Sequence, residues 1–305
     1  MIMVDDSAIW QPQFLNVTLP AFASKKVGFV GTSKWVKRLP RPRDQTVNLV
    51  IGLLKQWYVG LWATMGALYL TRHNLEIRAS NAADGGVFVV SGRTSLIRTS
   101  IVKNAEFERA FLNEYMFSLH GYFPGFGPVI PNGDNFITRW VVNHGWDVKI
   151  QYFKEAKITT VLGGFPLKFH DQCVRWSRTT FRQNPITIVV DRTIWIKWPM
   201  TVWTTYIALL YNAALIWDSL AIYTLTRTRL YATSSYPTAM MCGLIGFIWL
   251  TKLVKTIPWF WAYPVNFLLY FVFPAYPIFA YCHSLLKIYT LFTCCNLRWS
   301  GRKLK

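Results

Sequence analysis

Two regimes of hydrophobic patterning divide the chain. Up to about Arg192, apolar residues come in short runs separated by polar clusters. Met1 to Val4 is an apolar run of strand length, read as a buried strand with the acids Asp5-Asp6 just past its end. Lys26 to Gly31 (Lys-Val-Gly-Phe-Val-Gly) predicts a second short buried strand, and Lys34 to Arg43 a basic, proline-containing loop. Val47 to Asn81 has helical periodicity, with Trp57, Trp62, Leu68, Leu70 and Leu75 on its apolar side. Asp84-Gly85-Gly86 ends that helix. Val87 to Val90 predicts a strand closed by a turn at Ser91-Gly92-Arg93-Thr94, and Ile97 to Phe117 an amphipathic helix with Glu106, Glu108 and Arg109 outward. Gly121 to Pro131, with three glycines and three prolines, predicts a loop. Asn132 to Asn135 predicts the cap of a helix from Phe136 to His144, stopped by Gly145. Val148 to Phe153 and Ile158 to Leu162 alternate as strands. Strands and helices interleave, so this part reads as α/β, with polar residues gathered at strand ends.

Beyond Arg192 the pattern changes. Met200 to Thr226 carries one charge, Asp218, and Leu230 to Thr251 and Thr256 to Leu286 carry none. Each run is long enough to cross a hydrocarbon core, which needs about 20 residues as helix. Trp195, Trp198, Trp203, Tyr236, Trp249, Trp259 and Trp261 crowd the ends, as aromatic belts do. Pro264, Pro274 and Pro277 break the last run, so three to four transmembrane spans are expected. Ile186 to Trp198 mixes charged and apolar residues in a way that suits a segment in the interface plane. Asp218 should face a channel or a partner helix, or lie near the outer headgroups. The expected organisation is a soluble α/β part over 1–170, a basic junction with interfacial helices over 171–198, membrane helices over 199–295 and a basic tail over 296–305.

Composition sharpens this. The 305 residues are 52% hydrophobic and 15% charged, with net charge +19. A membrane-like tail and many aromatics make a basic face against anionic lipid, with pockets for phosphorylated substrates, a better reading than nucleic acid. No nucleic-acid partner is expected. Cys173, Cys242, Cys282, Cys294 and Cys295 form no C-x-x-C pair and read as reduced and mostly structural. No signal peptide opens the chain, and Met1 to Asp6 looks like the middle of a domain.

Four polar clusters precede the membrane-like region: Asp5-Asp6, Ser91-Gly92-Arg93, Gly133-Asp134-Asn135 and Gln172-Cys173-Val174-Arg175-Trp176. Singly, each has an ordinary explanation. Asp5-Asp6 and Ser91-Gly92 could be turns, Asp134 a helix cap, and Arg175-Trp176 a helix end on lipid headgroups. Their order resembles that of the processive family 2 glycosyltransferases (cellulose, chitin and hyaluronan synthases), and is most similar to the fungal hyaluronan-synthase-like enzymes called type 2 glycosyltransferases. Val4-Asp5-Asp6-Ser7-Ala8-Ile9-Trp10 resembles the D-x-D segment. Asp84-Gly85-Gly86 through Thr94 resembles the segment under the acceptor sugar. Gly133 to Trp140 resembles the acid motif that carries the general base, Gln172 to Trp176 matches Q-x-x-R-W, and Trp299-Ser300-Gly301-Arg302 is loosely similar to a tryptophan-led gating motif.

The resemblance implies a GT-A-like α/β domain followed by interfacial and transmembrane α-helices. It implies a hexosyltransferase that moves sugar from a nucleotide sugar, a UDP-sugar by expectation, to a growing polysaccharide and exports it through the bilayer. A divalent metal, Mg²⁺ or Mn²⁺, would sit on Asp5 and Asp6, and Asp134 would be the base. Ser91, Gly92, Arg93, Gln172, Arg175 and Trp176 would bind substrate. Ser7 and Gly133 stand where relatives often carry further acids. The family places membrane helices and nucleotide-binding strands ahead of the D-x-D segment, so this polypeptide alone is expected to bind nucleotide sugar poorly. The site is expected in the cytosol, below the plasma membrane, with Lys197, Lys252, Lys255 and the tail on that side and Arg227 and Arg229 outside. Two rival readings are a non-catalytic remnant and a membrane transporter or structural membrane protein. The transporter or structural reading does not account for Gln172 to Trp176 after an acid motif, or for the D-x-D-like start.

Overall fold

The computed structural model describes residues 1–37, 49–116, 125–127, 133–162 and 166–297. Among them seven strands form two small sheets: β1 (Ile2–Val4), β2 (Ala8–Ile9), β3 (Val27–Thr32), β4 (Lys34–Val36), β5 (Thr94–Ile97), β6 (Asp147–Gln151) and β7 (Ile158–Thr160). The first sheet runs β1-β5-β3-β6, with β5 antiparallel to both neighbours and β3 parallel to β6. The second runs β2-β7-β4, with β2 antiparallel and β4 parallel to β7. Among the described residues the chain passes from the first sheet to the second three times, between β1 and β2, between β3 and β4 and between β6 and β7. Mixed sheets with interleaved helices bear out the α/β expectation.

β3 is buried at every position because the first sheet is covered on both faces. Phe29 and Ile97 belong to one core with Val87, Val90, Phe136, Trp140 and Val141. Val30 and Leu96 belong to another with Phe14, Val27 and Ile158. Each large apolar side chain removed from water in this way contributes roughly 1.5–3 kcal/mol. A strand covered on both faces reads as an unbroken apolar run, which makes Lys26 to Gly31 legible.

Several expectations need correction. β1 is an edge strand with Ile2 and Val4 exposed, not a buried one. Val87 to Val90 is fully buried but joins no ladder; the Val90 N–H donates to Thr138 Oγ1 at 3.0 Å instead. Thr94–Ile97 is a central strand, so the helix expected from Ile97 begins later and divides into Thr99–Val102 and Ala105–Leu112. Asn104 makes that division by accepting the Glu106 N–H on its side chain at 2.8 Å. Lys34–Val36 is a strand, while the rest of the expected basic loop, from 38 to 43, lies outside the described residues. Of the loop expected over 121–131 only 125–127 is described, where Phe126 bridges to Met116. The long helix (Leu49–Asp84) stands as expected; the helix expected from Phe136 begins at Gly133 and runs to Asn143, so Asp134 lies in its first turn, and Gly145 follows it at φ 77°.

The chain divides into two compact units. The first takes in the sheets, residues 73–210 and the chain from Thr290; the second takes in residues up to Arg72 from Leu39, and Tyr211–Tyr289. Within the first, the Leu167–Pro185 helix runs into a π-helical turn (Ile186–Asp191), and Arg192 then reverses the backbone at φ 60°. Ile194 and Trp198 are buried in the core that holds Phe29. The stretch from Ile186 to Trp198 thus buries Ile194 and Trp198 while Val189, Val190 and Ile196 stay exposed.

Within the second unit, Asp218 pairs with Lys252 of the Pro237–Val254 helix, the partner-helix option. Tyr270 donates its hydroxyl to the Trp57 carbonyl at 3.2 Å, and Asn266 donates to Thr64 Oγ1 at 3.3 Å. Among the described residues one helix, Pro237–Val254, is long and apolar enough to cross a membrane, or up to three spans if each of two broken helix pairs counts as one. The upper figure meets the lower end of the three to four spans expected. One break follows Phe273, where Pro274 brings no N–H to continue a helix.

Candidate active site

Strand register brings the first two polar clusters together. Val4 pairs with Thr94, so Asp5 and Arg93 leave neighbouring antiparallel strands side by side. The Asp5 N–H donates to the Arg93 carbonyl at 2.8 Å, and Arg93 Nη1 stands 3.9 Å from Asp5 Oδ2. The same Nη1 donates to Thr160 Oγ1 on β7 at 2.5 Å. Ser7 Oγ lies 3.4 Å from Asp5 Oδ2 and 3.3 Å from Thr160 Oγ1. Side chains thus stitch the two sheets together where β1 passes into β2, and Asp6 is exposed at that turn. Ser91 Oγ accepts the Arg93 N–H at 3.4 Å, which shapes the turn leading into β5.

The acid motif comes next. Asp134 sits in the first turn of its helix, and its Oδ1 accepts the Asn135 N–H at 2.9 Å. Its Oδ2 lies 3.8 Å from where a side-chain carbon on Gly92 would stand. The glycine therefore leaves the space beside this carboxylate open.

Gln172, Arg175 and Trp176 lie inside the Leu167–Pro185 helix, not at its end. Their spacing of i, i+3 and i+4 puts all three on one helix face. Arg175 is within electrostatic reach of Asp134 and Asp5: burial holds its guanidinium below the ordinary arginine value, and the two carboxylates oppose that. Burial lowers Arg93 in the same way, with Asp5 opposing and Arg175 adding to the fall. Gln172 Oε1 is buried and has no hydrogen-bond partner among the described residues. Trp176 is half-buried.

Lys34 escaped the sequence reading. It opens β4 where the chain enters the second sheet, and Asn74 on the long helix grips its backbone. The Lys34 N–H donates to Asn74 Oδ1 at 3.1 Å, and its carbonyl accepts Asn74 Nδ2 at 2.5 Å. The side chain is 4% exposed, with Nζ 3.3 Å from His73 Nδ1. Burial pushes its pKa down to about 7, Arg93 pushes the same way and Asp134 opposes. The adjacent apolar residues Trp35 and Val36 are the signal that separates Lys34 from a basic loop. Lys34, Arg93 and Arg175 thus converge on Asp5 and Asp134, three cations to two carboxylates. Such a cluster seats an anion well, because desolvated cations attract more strongly than exposed ones.

Two groups hold the frame instead of lining the site. Asp84 accepts the Thr201 N–H at 2.8 Å and the Thr201 hydroxyl at 2.5 Å, so its carboxylate is engaged by the helical segment beginning at Pro199. Arg139, one helix turn past Asp134, donates to Asp191 at 2.7 Å, to Glu114 at 2.5 Å and to Gln183. The expected gating motif, Trp299 to Arg302, lies outside the described residues.

No group of three or more histidines, cysteines or carboxylates gathers among the described residues. Asp5 and Asp6 nonetheless suit a hard cation such as Mg²⁺, which commonly takes one or two carboxylates and fills its shell with water and substrate phosphate.

Residues 1–179 match the family described as glycosyltransferase like family 2. The chain is 32% identical over 307 residues to a type 2 glycosyltransferase of Zymoseptoria tritici, covering 99% of this chain and 58% of that protein. It is 31% identical over 303 residues to a type 2 glycosyltransferase of Pyricularia oryzae, covering 99% and 57%. It is also similar to the NDP-glycosyltransferase ltbB of Aspergillus luteorubrus, 27% identical over 181 residues, 59% of this chain and 39% of that protein. The chain spans a little over half the length of the two type 2 relatives.

Proposed function

The chain belongs to the glycosyltransferase family 2, and on that premise we propose that it transfers a sugar from a nucleotide sugar, a UDP-sugar, to the end of a growing polysaccharide. The observation that carries this reading is the convergence of Lys34, Arg93 and Arg175 on Asp134 and Asp5. Transfer needs a base for the acceptor hydroxyl and a positive seat for the departing diphosphate, and these residues supply both.

In the proposed reaction the acceptor oxygen attacks the anomeric carbon as the bond from that carbon to the diphosphate oxygen breaks. Asp134 takes the hydroxyl proton. Arg93 and Arg175 hold the negative charge that collects on the leaving diphosphate. Gly92 leaves room for the acceptor beside the Asp134 carboxylate. Gln172 Oε1, buried and unmatched among the described residues, would accept a hydrogen bond from a sugar hydroxyl, and Trp176 would offer a flat face to the ring. Asp5 and Asp6 would hold Mg²⁺ or Mn²⁺, which would neutralise diphosphate charge. Export through the apolar helices, and a cytosolic site at the plasma membrane, complete the proposal. They rest on the membrane-compatible helix Pro237–Val254 and the placement of basic residues around the apolar runs.

The test is release of nucleoside diphosphate from UDP-sugars by membranes carrying the protein. Asp134→Asn keeps the shape and removes the base, and should lower the rate by about 10²–10⁴-fold. Unchanged activity in this variant would sink the assignment of the base. No release from any nucleotide sugar, with the protein folded, would favour the non-catalytic reading.

A further inference from the structure

Past the last apolar helix the chain presents two adjacent thiols that sugar transfer does not use. Cys294 and Cys295 stand in the turn just after the Ala275–Phe292 helix, with Cys295 exposed and Cys294 half-buried. Leu291 and Phe292, in the last turn of that helix, are 48% and 83% exposed. The Leu167–Pro185 helix holds this segment in place. The Ser177 and Thr290 hydroxyls share a hydrogen bond at 2.8 Å, and Arg178 donates from Nε and Nη2 to Thr293 Oγ1 at 3.1 and 3.0 Å. Both the Leu167–Pro185 helix and the chain from Thr290 belong to the first unit.

Three features set the chemistry of the pair. The first is Arg182, one helix turn past Arg178, which lies within electrostatic reach of both thiols. It is 3% exposed, its Nε donates to the Arg178 carbonyl at 3.3 Å, and its Nη1 has no hydrogen-bond partner among the described residues. A thiol sulfur is a weak acceptor for such an N–H, whereas a thioester adds a carbonyl oxygen beside it. The second is the surrounding sequence. Exposed Leu291 and Phe292 precede the thiols, and Arg298, Arg302, Lys303 and Lys305 follow them. One acyl chain gives only reversible membrane attachment, and a second chain or a polybasic stretch makes it stable. This segment has the means for both. The third is the state of the thiols. Desolvation and the Cys294 thiol raise the Cys295 pKa, with Arg182 opposing, which leaves little free thiolate for soluble oxidants. An acyltransferase brings its own base and is not limited in this way.

We propose that Cys294 and Cys295 are a site of S-acylation, with a long-chain acyl-coenzyme A as donor and a membrane acyltransferase as catalyst. Cysteines beside apolar helices at a membrane surface are the usual acceptors of this modification. The sulfur of Cys295, the more exposed of the two, attacks the acyl carbonyl carbon. The bond from that carbon to the coenzyme A sulfur breaks, coenzyme A leaves as a thiol, and the proton from Cys295 ends on it. Nothing is oxidised or reduced. Cys294 takes a second chain in the same way. The acyl chains enter the bilayer beside Leu291 and Phe292, and a thioester carbonyl accepts the Arg182 N–H. This site does not depend on the sugar-transfer reading, and its test measures no transfer.

The full chain would be expressed in a eukaryotic host, purified from its membranes in detergent and digested with trypsin. The peptide Ile288–Arg298 holds both thiols and no other cysteine. Its mass should rise by one or two long acyl chains, and neutral hydroxylamine, which cleaves thioesters, should remove the gain. In acyl-biotin exchange on the intact protein, Cys294→Ser/Cys295→Ser should lose label at least about tenfold. Cys242→Ser, inside the Pro237–Val254 helix, should keep it. Peptide mapping of the wild-type chain needs no variant, so it decides the matter if the double variant does not fold. An unacylated peptide overturns the proposal. So does label that survives in the folded double variant or disappears in Cys242→Ser, and so does a mass gain removed by a phosphine reductant in place of hydroxylamine, which marks a disulfide.

Discussion

Lys34→Met separates what the buried lysine costs from what it does. Methionine has similar length and carries no charge. An ordinary lysine titrates at 10.5, and Lys34 titrates at about 7. At about 1.4 kcal/mol per pH unit, burying this group costs the folded state about 4–5 kcal/mol near neutral pH, an upper figure. The sign follows from linkage. Between about 7 and 10.5 the unfolded chain holds this proton and the folded chain does not, so stability rises with pH across that window by at most about 1.4 kcal/mol per unit. Below about 7 the full cost remains.

Methionine removes the cost but leaves His73 Nδ1 without the partner it has at 3.3 Å. That loss takes back about 1–3 kcal/mol. The variant should therefore be more stable than wild type by about 1–4 kcal/mol at pH 7, and close to it by pH 9. Denaturant unfolding in detergent, followed by tryptophan fluorescence at several pH values, gives both curves. The difference between them isolates Lys34 from other titrating groups. If the two curves run parallel from pH 7 to 9, the reasoning fails. Sugar transfer by Lys34→Met should fall while stability rises, which marks a residue kept for function at the expense of the fold.

Two further outcomes concern the frame. Arg139→Met leaves the Glu114 and Asp191 carboxylates buried without their cation, and should cost about 3–5 kcal/mol in unfolding free energy; a loss under 1 kcal/mol would show the pair to be dispensable. Gly86→Ala places a carbon 2.0 Å from Thr201 Oγ1 and 2.7 Å from Asp84 Oδ1, so the fold must shift, at about 1–3 kcal/mol. An unchanged melting temperature would contradict that packing.

The chemistry-bearing clusters were legible because their residue types are unusual and adjacent in sequence. Asp5-Asp6, Ser91-Gly92-Arg93, Asp134 and Gln172 to Trp176 need no tertiary information to be noticed. Their meeting was not legible. It depends on Val4 pairing with Thr94 and on the strand Thr94–Ile97, which the apolar pattern had assigned partly to a turn and partly to a helix. Val87 to Val90 misled in the opposite sense: four buried apolar residues look like a strand, but burial comes from packing, and pairing has to be contributed by a partner strand. Lys34 was hidden because a charge beginning a basic run reads as solvated. Only its neighbours Trp35 and Val36 hint otherwise.

The Arg139 junction carries an evolutionary consequence. Asp134 and Arg175 belong to different helices, yet Arg139 ties one of those helices to Gln183 on the other, and to Glu114 and Asp191. None of these four residues is placed on the substrate. A charge lost at Arg139, Glu114 or Asp191 leaves another stranded in the interior, and loss of the Gln183 amide removes a partner from Arg139 and Glu114, so drift at one position selects for change at the others. Across descendants of this protein the four should vary as a set, a coupled alphabet written beside the catalytic one and readable from sequences alone.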